Sequence, residues 1–537
     1  MEEQNRVGYA SSFEEQFTLR AIVLGIIGSI IITTSSMYVA LRMGALPWPT
    51  IFVAILSLTV LKACGRTNLN EINVAHTAMS AGAMVAGGVA FTVPGIWMLD
   101  PEAVVGFWPL LAVTLSGTIL GVIFVAAMRR HFIEVEQLPF PMGIAAAETV
   151  LAGDEGGQKA KWLFGSLGVA AVITALRDQW GKIPAALMPA ALWQRNIQFG
   201  VWVSPMAAGI GYLIGPLFMG TWFLGAVLSY LLFIPLTVNG GYLSLETATA
   251  IKDSFGIGLI VGAGVGVLLK GVLPKAREVF SPMLGGRGDI NLRWAPFVMA
   301  AIAVCLTVIA GMGVVASIVT ILGVWITTAM AATLDGQTGI DPMEVFGILV
   351  LLAVKLVVTP GTTAAFFVAA VVAVACGIAG DNLQDFKAGY MLGTMPRAQV
   401  YAELIGGVVG AAVSVIVIFV MHRAFGAMGP GTELVAPQAY AVSTMVSGLP
   451  HAPAFAVGFA LGVVLYYLGI PGMTIGIGIY LPMYISAAAA VGGLCRWLVD
   501  RHWPQISERG QLVSSGFLGG EGVTGVIIAL ARVFTGA

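Results

Sequence analysis

The chain has 537 residues, 58% of them hydrophobic and 10% charged, with a mean hydropathy of +0.92. Those proportions exclude a soluble domain of this size and indicate a polytopic membrane protein. A formal net charge of -1 offers nothing to attract nucleic acid, and four scattered cysteines with no CxxC pair indicate neither a disulfide framework nor a thiolate metal site.

Residues 1–20 are polar and contain four glutamates. They lack the basic start and cleavage site of a signal peptide, so the segment is expected to remain attached and cytoplasmic. Apolar runs at 21–40 and 47–61 read as the first two spans. The first is long enough to cross about 30 Å of hydrocarbon at about 1.5 Å per residue. A third is expected from 73 to 99 and a fourth over 104–128. Lys62 and Arg66 follow the second, Arg129, Arg130 and His131 follow the fourth, and the intervening loop carries Asp100 and Glu102. That alternation places the N-terminus inside.

The stretch 68–88, NLNEINVAHTAMSAGAMVAGG, brings an acid, amides, an imidazole and hydroxyls into an otherwise apolar run. On a helix, Asn73, His76, Thr77 and Ser80 share a face, while Ala75, Ala78, Gly82 and Ala86 form a neighbouring stripe of small residues that admits a close helix partner. Glu71 and His76 at membrane depth are functional candidates by cost alone. The plainer alternative puts Glu71 in the first helical turn near the headgroups and leaves His76 bonded to a neighbouring helix.

In 137–157, QLPFPMGIAAAETVLAGDEGG, two prolines precede an apolar helix of about ten residues, too short to cross a bilayer. A re-entrant or broken helix would place Glu148 at its polar end; an interfacial helix would leave Glu148 solvated. Further spans are expected at 162–176, 200–219, 222–236, 256–273, 295–313 and 315–332. The basic stretch 274–294, with Lys275, Arg277, Arg287 and Arg293, is expected to be a cytoplasmic linker between transmembrane halves 21–273 and 295–537.

Spans at 343–358, 363–378, 401–421, 453–468, 473–491 and 512–534 bring the total to about sixteen. This scheme leaves Arg177, Lys182, Arg195, Arg496, Arg501 and Arg509 outside, so some short runs are expected to be re-entrant. Asp341 and Glu344 stand at the entrance to a span, and Lys355 within it either snorkels to an interface or faces a carboxylate. The charged segment 381–403 reads most simply as a cytoplasmic linker. Residues 472–486, GMTIGIGIYLPMYIS, with Tyr480, suit a helix that breaks and frees its carbonyls. Glu521 lies among glycines in 514–528, loosely echoing the setting of Glu148 and fitting a duplicated architecture.

No Walker A, HExxH, GxSxG or potassium-filter motif occurs. A membrane-embedded hydrolase would need a nucleophile paired with a base, and only His76 of the five histidines lies in a suitable setting. Intramembrane acids are then best explained as sites that bind protons or substrate during alternating access, because a carboxyl taken out of water binds a proton more readily.

Seven stretches together resemble the oligopeptide transporter family: LRAIVLG (19–25), NEINVAHTAMSAGAMVAGG (70–88), FPMGIAAAETVLAGDEGG (140–157), SPMAAGIGYLIGP (204–216), DFKAGYMLGTMPRAQ (385–399), YLPMYISAAAAVGGLCRWLVDR (480–501) and SSGFLGGEGVTGVIIAL (514–530). The resemblance implies an all-α integral membrane bundle of two pseudo-repeated halves that imports small peptides, or metal complexes of peptide-like chelators, by symport with protons. It implies no catalytic centre, no bound metal and no cofactor beyond the coupling proton. Short loops suggest a prokaryotic inner-membrane protein, and a homo-oligomer is possible. Carried over by motif, the resemblance marks Glu71, Asn73, Glu148, Asp385, Lys387, Tyr390 and Glu521. His76 and Tyr480 rest on the residue-level reading.

Overall fold

A computed structural model describes residues 8–44, 50–152, 158–275, 292–338, 341–448 and 450–535. Most of the linker expected at 274–294, with Arg277 and Arg287, lies outside the described residues, as do 1–7 and the GDEGG run at 153–157. In chain order the longer helices are α1 (Leu19–Met43), α2 (Thr50–Ala63), α3 (Leu69–Ala90), α4 (Phe107–Arg130), α5 (Pro141–Ala152), α6 (Gln158–Thr174), α7 (Pro205–Ile214), α8 (Pro216–Ala226), α9 (Leu245–Val267) and α10 (Ala295–Val308). They continue as α11 (Val314–Thr338), α12 (Met343–Val357), α13 (Thr362–Gly380), α14 (Asn382–Met391), α15 (Pro396–Phe425), α16 (Pro437–Ser447), α17 (Ala452–Tyr467), α18 (Gly472–Tyr480), α19 (Met483–His502) and α20 (Ser507–Thr535). The described strands are the two-residue pair Ala186–Leu187 and Val201–Trp202, so the fold is all-helical.

Among the described residues, eight helical stretches are long and apolar enough to cross a membrane, and four shorter apolar helices accompany them. The described residues gather into two compact units. One takes 1–161 and 271–446; the other takes 162–270 and 447–537. Neither unit coincides with 21–273 or 295–537.

In the first unit α3 is the centre, with every one of its 22 residues buried. Asn68 caps it, its side chain accepting from the Glu71 N–H at 2.7 Å. Small residues let its neighbours close in. A Cβ on Gly25 of α1 would lie 2.6 Å from Ala78 Cβ, one on Gly406 of α15 would lie 1.8 Å from the Ala78 carbonyl oxygen, and one on Gly410 would lie 2.4 Å from Gly82 Cα. The small-residue stripe on α3 is therefore the surface on which α1 and α15 pack. Span α13 runs on through Asp381 into α14 as one stretch, Thr362–Met391. This corrects the cytoplasmic linker expected at 381–403: Asn382, Gln384 and Asp385 are buried.

In the second unit α9 packs on α17 glycine to backbone; a Cβ on Gly262 would meet Phe459 O at 2.1 Å. The expected spans at 200–219 and 222–236 are divided differently. Gly215, with φ +89°, ends α7, and Pro216 starts the span Pro216–Asn239. The break expected within 472–486 falls at Leu481 and Pro482, between α18 and α19.

Candidate functional site

The acids of the first unit fall into two kinds. Glu71 is fully partnered. Arg20 donates from Nε to Oε1 at 2.5 Å and from Nη2 to Oε2 at 2.7 Å, Thr18 Oγ1 donates to Oε1 at 2.5 Å, and Thr67 Oγ1 donates to Oε2 at 2.6 Å. One residue earlier, Asn70 ties the start of α3 to the α14–α15 turn, donating to Leu392 O at 2.9 Å.

The second kind lies deeper, where α3, α14 and α15 meet. Asp385 on α14 is wholly buried. Ser80 Oγ, from α3, contacts its Oδ2 and also donates to Thr77 O at 3.2 Å. His76 Nε2 stands 3.3 Å from Asp385 Oδ1, but neither atom is aligned for a hydrogen bond. Gln399 of α15 donates to Asp385 O at 2.9 Å and to Thr77 Oγ1 at 3.2 Å. Glu403, one turn further along α15, is wholly buried and accepts from Asn382 Nδ2 at 3.1 Å on one oxygen, leaving the other bare. Both side-chain amide atoms of Asn73 are buried without a partner. Among the described residues neither Asp385 nor Glu403 pairs with Lys or Arg. An ionised carboxylate enclosed without a cation is costly, and so is an unbonded buried amide.

Further acids border this centre. Gln384 donates to Asp335 Oδ2 at 2.8 Å and accepts from the Gly143 N–H of α5 at 2.9 Å. Asp341 rests against Gly380 with both carboxylate oxygens unbonded, and Asp335, Asp381 and Glu344 each lie close enough to interact with its charge. The remaining residues singled out in this unit stand apart. Glu148 is exposed on α5, Lys387 donates to Leu138 O at 3.1 Å, and Tyr390 is half exposed. Lys355 neither snorkels free nor meets an acid: it donates to Met445 O and Val446 O, both at 2.9 Å, at the C-terminal end of α16.

In the second unit Glu521 of α20 is wholly buried and clamped. Arg177 Nη2 lies 2.8 Å from Oε1, while Ser204 Oγ and the Met206 N–H donate to Oε2 at 2.9 and 3.0 Å. Arg177 also grips both oxygens of Asp178 at 2.6 Å and lies over the Trp202 ring. The break after Tyr480 frees carbonyls, and the chain supplies donors for them. Lys252 Nζ donates to Ile479 O at 3.0 Å and to Asp253 Oδ1 at 2.5 Å, and Tyr230 O–H donates to Tyr480 O at 3.3 Å.

The sequence pattern of the family described as "OPT oligopeptide transporter protein" matches residues 16–270 and 288–532. The chain belongs to this family. It is 27% identical to a Haemophilus influenzae protein named "Putative oligopeptide transporter" over an alignment spanning 93% of each chain. It is also 29% identical to "Metal-nicotianamine transporter YSL2" of Arabidopsis thaliana, over 30% of this chain and 29% of that one. The protein is thus an OPT-family transporter, multi-pass in a membrane, and not an enzyme.

Sequence reasoning about this OPT transporter missed several of its buried ionisable groups. Glu403 closes the charged segment 381–403, which masks it as a linker residue, although a lone acid in the apolar run 401–421 is a signal of the kind that singles out Glu71. Arg177, expected outside, is buried against Glu521. Asp335 and Lys252 lie at ends of apolar runs, where composition cannot separate an interface charge from a buried one. Among the described residues no group of three or more His, Cys, Asp or Glu side chains could hold a metal ion.

Proposed function

We propose that this OPT protein imports small peptides across a prokaryotic inner membrane by symport with protons, and that Asp385, with His76 and Ser80, carries the coupling proton while Glu403 and Asn73 complete the polar centre. The observation that carries this reading is the contrast among buried acids. Glu71 and Glu521 face arginine, whereas among the described residues Asp385 and Glu403 face none. Proton counting at Ser80 supports it. The hydroxyl has one hydrogen and two acceptors, Thr77 O and Asp385 Oδ2. A proton on Asp385 satisfies both, because Asp385 then donates to Ser80 Oγ and Ser80 donates to Thr77 O. Loss of that proton leaves a carboxylate that competes with Thr77 O for the single Ser80 hydrogen, with its other oxygen beside misaligned His76 Nε2, which favours a different arrangement of the helices around it and so links proton release to a conformational step.

Peptides are the preferred substrate because the relative named as an oligopeptide transporter aligns over 93% of the chain. A metal chelate is the second reading, favoured by the name of the Arabidopsis relative; its metal would travel inside the chelator as cargo. The test is uptake into proteoliposomes containing the purified protein, offered a pool of di- to hexapeptides and metal chelates with and without an inward proton gradient. Gradient-stimulated accumulation of peptides is the expected result. Accumulation of chelates alone would transfer the protein to the second reading, and uptake indifferent to the gradient would remove the proton from the mechanism.

A further inference from the structure

The span Pro216–Asn239 exposes Leu217, Leu224, Leu228, Leu232 and Leu236, spaced by seven residues and then by fours, so they run along one side of the helix. An exposed leucine stripe on a membrane span is its lipid-facing side. In the middle of this span, Val227–Phe233 is wound as a π-helix, a wider turn than its neighbours. Behind Leu228 lies a cavity of about 270 Å³, walled by Leu228, Ser229, Phe233, Ile251, Lys252, Phe255 and Ile479.

The polar groups beside this cavity are already engaged. Lys252 Nζ has its three donors directed at Tyr230 Oη, Asp253 and Ile479 O, and Ser229 Oγ bonds back to Gly225 O at 2.9 Å. A water or a peptide amide inside would meet a wall that is almost wholly carbon, with Ser229 and Lys252 already committed, and would lose its hydrogen bonds. Leu228 belongs both to the cavity wall and to the lipid-facing stripe, so the cavity is continuous with the bilayer surface.

We propose that this cavity receives the acyl chain of a bilayer lipid. Its volume takes roughly nine groups of about 30 Å³ each, a fair length of methylene chain. Lodged there, the chain lies against Ile479, one residue before Tyr480 and the break, and covers the apolar back of the site where Lys252 and Tyr230 hold the freed carbonyls. The proposal is independent of the substrate and of the coupling ion.

The test is photolabelling of the full-length protein in liposomes of phosphatidylethanolamine and phosphatidylglycerol, doped with a phosphatidylethanolamine that carries a diazirine at the end of one acyl chain, and read by peptide mass spectrometry. Labelling of the segments around 228–233 and 251–255 should exceed several-fold the labelling at Leu224, which is exposed on the same stripe one turn from Leu228. Ile251→Trp, which fills the cavity, should lower labelling at 228–233 several-fold while Leu224 stays labelled as before. Uniform labelling along the stripe, or undiminished cavity labelling in the filled variant, overturns the proposal. If Ile251→Trp does not fold, the smaller Ile251→Phe takes its place, and the contrast within the unaltered protein decides by itself if neither folds.

Discussion

At the scale of single residues, a buried carboxylate's neighbours decide what its replacement does. Arg177 and Glu521 are both fully enclosed, so Arg177→Met strands an acid inside the second unit. The expected cost is about 3–5 kcal/mol, seen as a lower thermal-unfolding midpoint of the detergent-purified protein, and Glu521→Gln added to Arg177→Met should recover part of it because the two sites share one interaction. Asp385→Asn should behave in the opposite way. The amide keeps the size and bonding capacity of the protonated acid, so the protein should remain folded and exchange labelled substrate across the membrane, but it should no longer accumulate substrate under a proton gradient. An Asp385→Asn protein that still accumulates to the wild-type level would move the coupling proton elsewhere. From the sequence alone Glu71, Asp385 and Glu521 looked alike, since each is an acid within a family motif; their separation depends on Arg20 and Arg177, which the chain brings in from 51 and 344 positions away.

At the scale of helices, the fold rests on close approach more than on large side chains. Helix α3 is legible in the sequence because small residues recur on one of its faces, and the partners that fit it, Gly25, Gly406 and Gly410, are small for the same reason. Gly410→Val should therefore abolish the folded protein, since even the first carbon of a side chain would lie 2.4 Å from Gly82 Cα. Gly168→Ala on α6 is the matching control: a Cβ there meets nothing within 4 Å, and replacing a helical glycine should stabilise by up to about 1 kcal/mol. Comparable losses of monodisperse protein in both variants, read by size-exclusion chromatography, would show that helix approach is not what limits folding. The break at Leu481 and Pro482 was legible for a related reason, since glycine and proline mark where a helix ends. Lys252, which receives one of the freed carbonyls, was not, because nothing local ties it to residue 479.

At the scale of the whole chain, apolar length marks candidate runs without saying which of them cross as single helices. Sixteen runs read as spans, yet among the described residues eight stretches are long enough to cross and four apolar helices are shorter, because hydropathy cannot tell a short helix that must be completed by another from a span in its own right. The orientation of the first unit is nevertheless open to a direct test. The span Leu69–Leu99 has 31 residues, about 46 Å of helix at 1.5 Å per residue, more than enough to cross about 30 Å of hydrocarbon. Exposed Cys64 precedes it between Lys62 and Arg66, and exposed Glu102 follows it beside Asp100. Positive charge marks the cytoplasmic side. In a background with Cys305, Cys376 and Cys495 changed to alanine, a membrane-impermeant maleimide should reach Cys64 in inside-out vesicles only. With Cys64 also replaced, Glu102→Cys should react in right-side-out vesicles only. The reverse pattern would invert the protein in the bilayer and make the loop charges misleading, whereas labelling of both positions from one side would mean that the most enclosed helix of the first unit does not cross the membrane at all.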